Sequence, residues 1–110
     1  MAKLETYRQY IQELLTKYAF KPAYGDVEVE IIFDTQRDHY QILNVGWDKK
    51  SRVYGCSMHL DIKGEKIWIQ FNATEVDIAQ ELVEMGVPKQ DIVVGLHSPF
   101  MRKFTEFAVS

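Results

Sequence analysis

Apolar residues recur every three or four positions at the start of the chain and then every second position, and this change of period separates a helix from the strands that follow it. In KLETYRQYIQELLTKYAF, residues Leu4, Tyr7, Ile11, Leu14, Leu15 and Tyr18 share one side of a helix, with Glu5, Gln9, Glu13 and Lys17 mostly between them. Pro22 and Gly25 end it. Period two then takes over. Val27, Val29, Ile31 and Phe33 alternate in VEVEIIFD, and Leu43, Val45 and Trp47 in QILNVGW. RVYGCSMHLDI aligns Tyr54, Cys56, Met58, Leu60 and Ile62, and KIWIQF aligns Ile67, Ile69 and Phe71 beyond a turn at Lys63-Gly64-Glu65.

Strand pairing that keeps each apolar set on one side fixes a register. Ile31 falls opposite Leu43 and Val29 opposite Val45, across a turn at Gln36-Arg37-Asp38. Val45 then meets Tyr54 and Leu43 meets Cys56, across Asp48-Lys49-Lys50-Ser51, while Ile62 meets Ile67 and Leu60 meets Ile69. A second helix starts with Thr74 as N-cap, carries Val76, Ile78, Ala79, Leu82, Val83 and Met85, and stops at Gly86 before Pro88. The expected fold is α+β: a four-stranded antiparallel meander with an N-terminal helix and a second helix packed on one face, in one domain over residues 1–110. After Pro88, DIVVGL reads as a short buried strand or an extended segment. MRKFTEFAVS lacks clean periodicity, so this end is expected to be irregular and tied to the body by Phe100 and Phe104.

In that register the second sheet face carries Ile32, Tyr40, Ile42, Val53 and Trp68 among Asn44, Ser57, His59, Asp61 and Gln70. Such a blend suits an interface core with a polar surround better than open solvent. The candidate partner interface is Tyr40, His59, Trp68 and, from the tail, Arg102.

Composition narrows the functional classes. With 46% hydrophobic residues the chain is expected to be globular, and a net charge of −3 argues against strong non-specific binding to nucleic acid. The lone Cys56 cannot close an intrachain disulfide, and the start MAKLETYRQY has no apolar stretch resembling a secretory leader, so a cytoplasmic location is expected. No apolar run approaches the roughly 18 residues of a membrane span.

The chemistry-bearing residues have plain structural readings beside the functional ones. His39, His59 and His97 lie on different predicted elements without metal-motif spacing, so no metal site is expected. His59 and Asp61 share a strand face, flanked by Tyr40 and Gln70, and could form an acid/base pair. A hydrogen-bonded histidine on the less buried face explains them as well, since no nucleophile is placed beside them. Glu28, Glu30 and Asp34 are explained as the solvated side of an outer strand. Lys49, Lys50 and Arg52 make a basic hairpin tip that could touch phosphate, as could Arg102 and Lys103. The glycines match neither a P-loop nor a dinucleotide fold, and Ser98, before Pro99, has no nucleophile-elbow context. No catalytic residue or cofactor is expected.

Several stretches taken together carry a resemblance: YGDVEVEIIFDTQRDHYQILNVGWD, RVYGCSMHLDIKGEKIWIQFNATE and IAQELVEMGVPKQDIVVGLHSP. The chain resembles the XisI-like family, the fdxN-element excision controlling factors found mainly in cyanobacteria, from the Tyr-rich first helix to the final TEFAV. The resemblance implies an accessory protein for programmed DNA rearrangement, in which a separate recombinase cuts and rejoins the DNA. Family members are commonly encoded beside a XisH-like protein, and the family has no catalytic motif to carry over. It therefore implies a non-enzyme that acts through a XisH-like partner. The residues themselves add self-association through the second sheet face as a further mode, weak or indirect contact with DNA from the net charge of −3, and no membrane. Two other readings remain open: a small hydrolase or nuclease subunit using His59 and Asp61, and a direct DNA binder using Lys49, Lys50, Arg52, Arg102 and Lys103.

Overall fold

The computed structural model describes residues 2–110. Helix α1 (Ala2–Tyr18) turns Tyr7, Ile11, Leu14 and Leu15 inward, as its spacing dictates. Strands β1 (Asp26–Asp34), β2 (His39–Asp48), β3 (Ser51–Lys63) and β4 (Lys66–Asn72) follow as successive antiparallel hairpins. Between β3 and β4, Gly64 and Glu65 both take positive φ (56° and 62°), the combination that matches a two-residue turn to the twist of its strands. Helix α2 (Ile78–Met85) comes next, then a 3-10 turn at Lys89–Asp91. Strand β5 (Ile92–Val93) and a short helix α3 (Pro99–Arg102) complete the chain.

The sheet has five strands in the order β1-β2-β3-β4-β5, and β5 runs parallel to β4, with Ile67 opposite Ile92 and Trp68 opposite Val93. The sheet is therefore mixed, which corrects the expected four-stranded antiparallel meander. DIVVGL does supply a strand, too short for its period to be read. Both helices cover one face: Ile11 and Leu15 of α1 and Ile78 and Leu82 of α2 join Tyr40, Ile42, Met58, Leu60, Ile67 and Ile69 in one core. Each such aliphatic side chain, fully buried, contributes about 1.5–3 kcal/mol.

Four of the expected strand pairs are present: Val45 with Tyr54, Leu43 with Cys56, Leu60 with Ile69 and Ile62 with Ile67. The β1–β2 pairs differ by one residue, with Ile31 opposite Ile42 and Val29 opposite Asn44. The cause is a β-bulge. Leu43 pairs with Cys56 but Ile42 pairs with Met58, so Ser57 is an extra residue in β3 and the strand's alternation resets there. Met58 and Leu60 go inward, whereas Cys56 and Tyr54 share the outer face with Leu43, Val45 and Trp47. A second bulge at Gln70 turns Phe71 outward, opposite His59.

The shift brings Tyr40 and Ile42 into the core rather than onto the open face. Tyr40 is fully buried, and its hydroxyl donates to Asp38 Oδ1 at 2.9 Å. Burial, reinforced by that carboxylate, pushes the Tyr40 hydroxyl pKa upward. Arg8 of α1 grips both oxygens of the same aspartate, Nε to Oδ1 at 2.8 Å and Nη2 to Oδ2 at 3.2 Å. This two-pronged contact ties the helix to the β1–β2 turn.

Helix α2 is capped by Asp77 rather than by Thr74: the Asp77 carboxylate accepts from the Gln80 amide at 3.1 Å. Thr74 and Asn72 instead shape the preceding turn, the Thr74 amide donating to Asn72 Oδ1 at 2.9 Å. The C-terminal segment is held by the Ala108 amide, which donates to the Ile92 carbonyl at 2.9 Å, and by a parallel bridge between Ala108 and Val93. Phe100 and Phe104 do not anchor it. They pack edge to face at 5.4 Å between centroids and are mostly exposed. Their attraction to each other is satisfied locally, while Ala108 and Phe107 provide the attachment to the body.

Asp91 couples this end of the molecule to α1. It accepts from the Tyr7 hydroxyl at 2.5 Å and pairs with Lys3 at 3.0 Å. Burial pushes its carboxyl pKa up, but the Tyr7 hydroxyl and the Lys3 ammonium outweigh that and hold it below the usual value. A carboxyl depressed in the folded state stabilises the fold above its unfolded pKa of about 3.9 and loses that contribution as pH falls through the folded pKa. Urea titrations from about pH 6 down to about pH 2 should show Asp91→Asn less stable than the parent near neutrality, with a shallower loss of stability in acid.

Candidate functional site

On the sheet face away from the helices, the corrected register sets His39 opposite Asp61 and Gln41 opposite His59. The three chemistry-bearing side chains of this patch converge on one carboxylate. His39 Nδ1 and His59 Nε2 each lie 2.9 Å from Asp61 Oδ1, and the Gln70 amide donates to Oδ2 at 3.1 Å. Asp61 is 6% exposed, whereas the side chains of His39 and His59 are 57% and 35% exposed;. Burial pushes the Asp61 carboxyl pKa up, yet the donors from His39, His59 and Gln70 outweigh it and leave the group below its ordinary value. As an ionised carboxylate can only accept, both facing ring nitrogens carry hydrogen.

Trp68 stands opposite Asp61 in the β3–β4 ladder. Lys63 Nζ lies 4.5 Å and Arg102 Cζ 5.2 Å from its ring centre, within cation–π range. Arg102 also donates to the carbonyls of His97 at 3.0 Å and Gly95 at 3.2 Å. Gly95 itself runs close against the sheet: a Cβ there would come 2.9 Å from Gln70 Oε1 and 3.0 Å from Trp68 Cε3. The last segment is thus pressed onto the strand that supports Asp61.

Of the four expected interface residues, the structure brings His59, Trp68 and Arg102 into this region and takes Tyr40 away from it. His39 replaces Tyr40 beside the His59–Asp61 pair. Its signal in the sequence was its place two residues before Gln41, visible only once the bulge is known. At the β2–β3 tip, Lys49, Lys50 and Arg52 are exposed, but the Arg52 guanidinium is committed to the Trp47 ring at 5.4 Å and to the Gly46 carbonyl at 3.3 Å. Cys56, partly buried, has its thiol pKa pushed up by burial, which makes it a poor nucleophile.

The other conspicuous property of this face is uncovered apolar surface. Trp47 is 51% and Tyr54 67% exposed, with Ile32 and Phe71 also open to solvent. Among the described residues, no helix is long and apolar enough to cross a membrane.

The fold and this face define a two-layer α+β protein, with α1 and α2 on one side of a mixed sheet and a histidine–aspartate cluster among exposed aromatics on the other. The chain belongs to the XisI family, whose profile, described as XisI protein, matches residues 1–109. It is similar to the crystal structure of a XisI-like protein from Anabaena variabilis ATCC 29413, at 48% identity and a TM-score of 0.91 over 97% of this chain and 99% of that one. It is also similar to the fdxN element excision controlling factor XisI of the same organism, at 40% identity and a TM-score of 0.87 over 98% of this chain and 99% of that one. Comparison with curated proteins gives no match.

Proposed function

We propose that this protein is an accessory regulator of programmed DNA excision, or of a related DNA-processing event, acting through a XisH-like protein partner rather than by catalysis of its own. The observation that carries the reading is the sheet face opposite the helices, where Ile32, Trp47, Tyr54 and Phe71 remain exposed. Open aromatic and aliphatic surface of this kind marks interaction sites, and Trp and Tyr are the residue types that most often dominate their energetics. The name of that relative, excision controlling factor, agrees with an effect exerted on other components. Direct contact with DNA is secondary in this reading, because the net charge is −3 and Arg52 is already occupied at the basic tip.

The test is binding to a XisH-like protein, measured by pull-down and by sedimentation, with Trp47→Ala and Tyr54→Ala as variants. Each should weaken the complex about tenfold or more, equivalent to about 1.4 kcal/mol, while thermal unfolding stays close to that of the parent. Unchanged association in both variants, with the partner and with itself, would remove this face from the functional account.

A further inference from the structure

We propose that His39, His59 and Asp61 form a binding site for a divalent transition-metal ion of the zinc class. The three side chains each offer one donor atom, and these atoms lie within 4.8 Å of one another. Their separations suit a common ion. A tetrahedral ion holds donors about 2.1 Å away and hence about 3.4 Å apart, so the histidine nitrogens, each 2.9 Å from Asp61 Oδ1, reach that spacing by opening about half an ångström. Two imidazoles and one carboxylate are the donor set that borderline divalent ions prefer, and three protein ligands leave further coordination positions for water.

The surroundings have the features such a site needs. Gln70 holds Asp61 Oδ2 at 3.1 Å, which fixes the carboxylate's orientation and leaves Oδ1 to point at the histidines. The aspartate is buried and the histidine rings are partly exposed, so an ion would enter from the solvent side, with the negative charge beneath it. All three ligands stand on paired strands rather than on loops, His39 directly opposite Asp61. Ion binding replaces the two N–H···O contacts: each neutral imidazole moves its proton to its other ring nitrogen and gives the freed lone pair to the metal. On each ring one N–H bond breaks and another forms, so the proton count and the oxidation states are unchanged.

The experiment uses the whole, chelator-treated chain without any partner, so its outcome is independent of the proposed excision role. Zn²⁺ is titrated calorimetrically and Co²⁺ is followed by its visible ligand-field absorption. One ion per chain is expected. His39→Ala and His59→Ala, whose rings lie at the surface, should each weaken binding tenfold or more, and the double variant should lose it, while His97→Ala leaves it unchanged. Zn²⁺ should also raise the unfolding temperature of the parent but not of the double variant, whose circular dichroism shows whether the fold is intact. Absence of saturable uptake, or uptake that survives in the folded double variant, would overturn the site.

Discussion

Leu60→Asp is expected to abolish folding at room temperature. Leu60 is fully buried between Tyr40 on β2 and Ile69 on β4, in the layer that both helices cover;. A carboxylate there would have no partner, and it costs several kcal/mol either to bury it charged or to keep it neutral. Together with the lost burial of the leucine, that is a large share of the roughly 5–15 kcal/mol by which such domains are stable. Leu60→Ala should be milder, at about 2–5 kcal/mol. The informative contrast is Tyr54→Asp. In an unbroken strand Tyr54 and Leu60 would share a face, but the bulge at Ser57 puts Tyr54 outside, so this change should cost about 1 kcal/mol or less. Circular dichroism and urea unfolding of the three variants test both the core and the bulge.

Gly46→Ala should destabilise the protein by about 3 kcal/mol or more, with the loss concentrated where β1 meets β2. A Cβ at Gly46 would lie 2.1 Å from the Asp26 carbonyl oxygen and 2.7 Å from the Val27 Cα. Both are backbone atoms, and Val27 is itself fully buried, so neither can move aside without parting the strands. Gly55 is the control, because it sits on the neighbouring strand opposite Asn44 and a Cβ there meets nothing within 4 Å. Gly55→Ala should leave the stability unchanged or slightly raised, since alanine narrows the unfolded ensemble. Denaturant midpoints of the two variants measure the difference, and equal midpoints would contradict the close β1–β2 approach.

Which parts of this structure could be read from the sequence follows from how each residue encodes its surroundings. Helix α1 was legible because Tyr7, Ile11, Leu14 and Leu15 repeat at a spacing that only a helix brings to one side. The β2–β3 and β3–β4 pairs between each turn and the first bulge were legible because the turns are short and tie register to loop length; beyond the bulges His59 meets Gln41 and Phe71 rather than the expected Tyr40 and Gln70. The face of β2 was not, since it is apolar on both sides: Tyr40 and Ile42 on one, Leu43, Val45 and Trp47 on the other. Alternation can choose between faces only when one of them is polar. Tyr54, Cys56, Met58 and Leu60 then gave a regular series across a bulge that leaves no mark in composition, and one hidden residue moved β1 by one step. The same step decided the site. It replaced Tyr40, expected beside His59, by His39 opposite Asp61, so a cluster built from residues 22 positions apart was invisible to any local motif. β5, with only Ile92 and Val93, is shorter than any window over which a period can be measured.

The order of the strands also sets an order of assembly. The hairpins β1–β2, β2–β3 and β3–β4 join neighbours in sequence, across turns at residues 35–38, 49–50 and 64–65, so little chain entropy is lost in closing them. β5 reaches its place beside β4 only after α2 and the 3-10 turn have crossed over, and Ala108 must then return to Val93. Contacts that close longer loops form more slowly. The meander therefore leads and the parallel edge follows, carrying Gly95 and Arg102 onto Trp68 as it docks. In native-state hydrogen exchange, amides in the middle of β2 and β3 should be the last to open, and the Ala108 amide should exchange with the fraying edge.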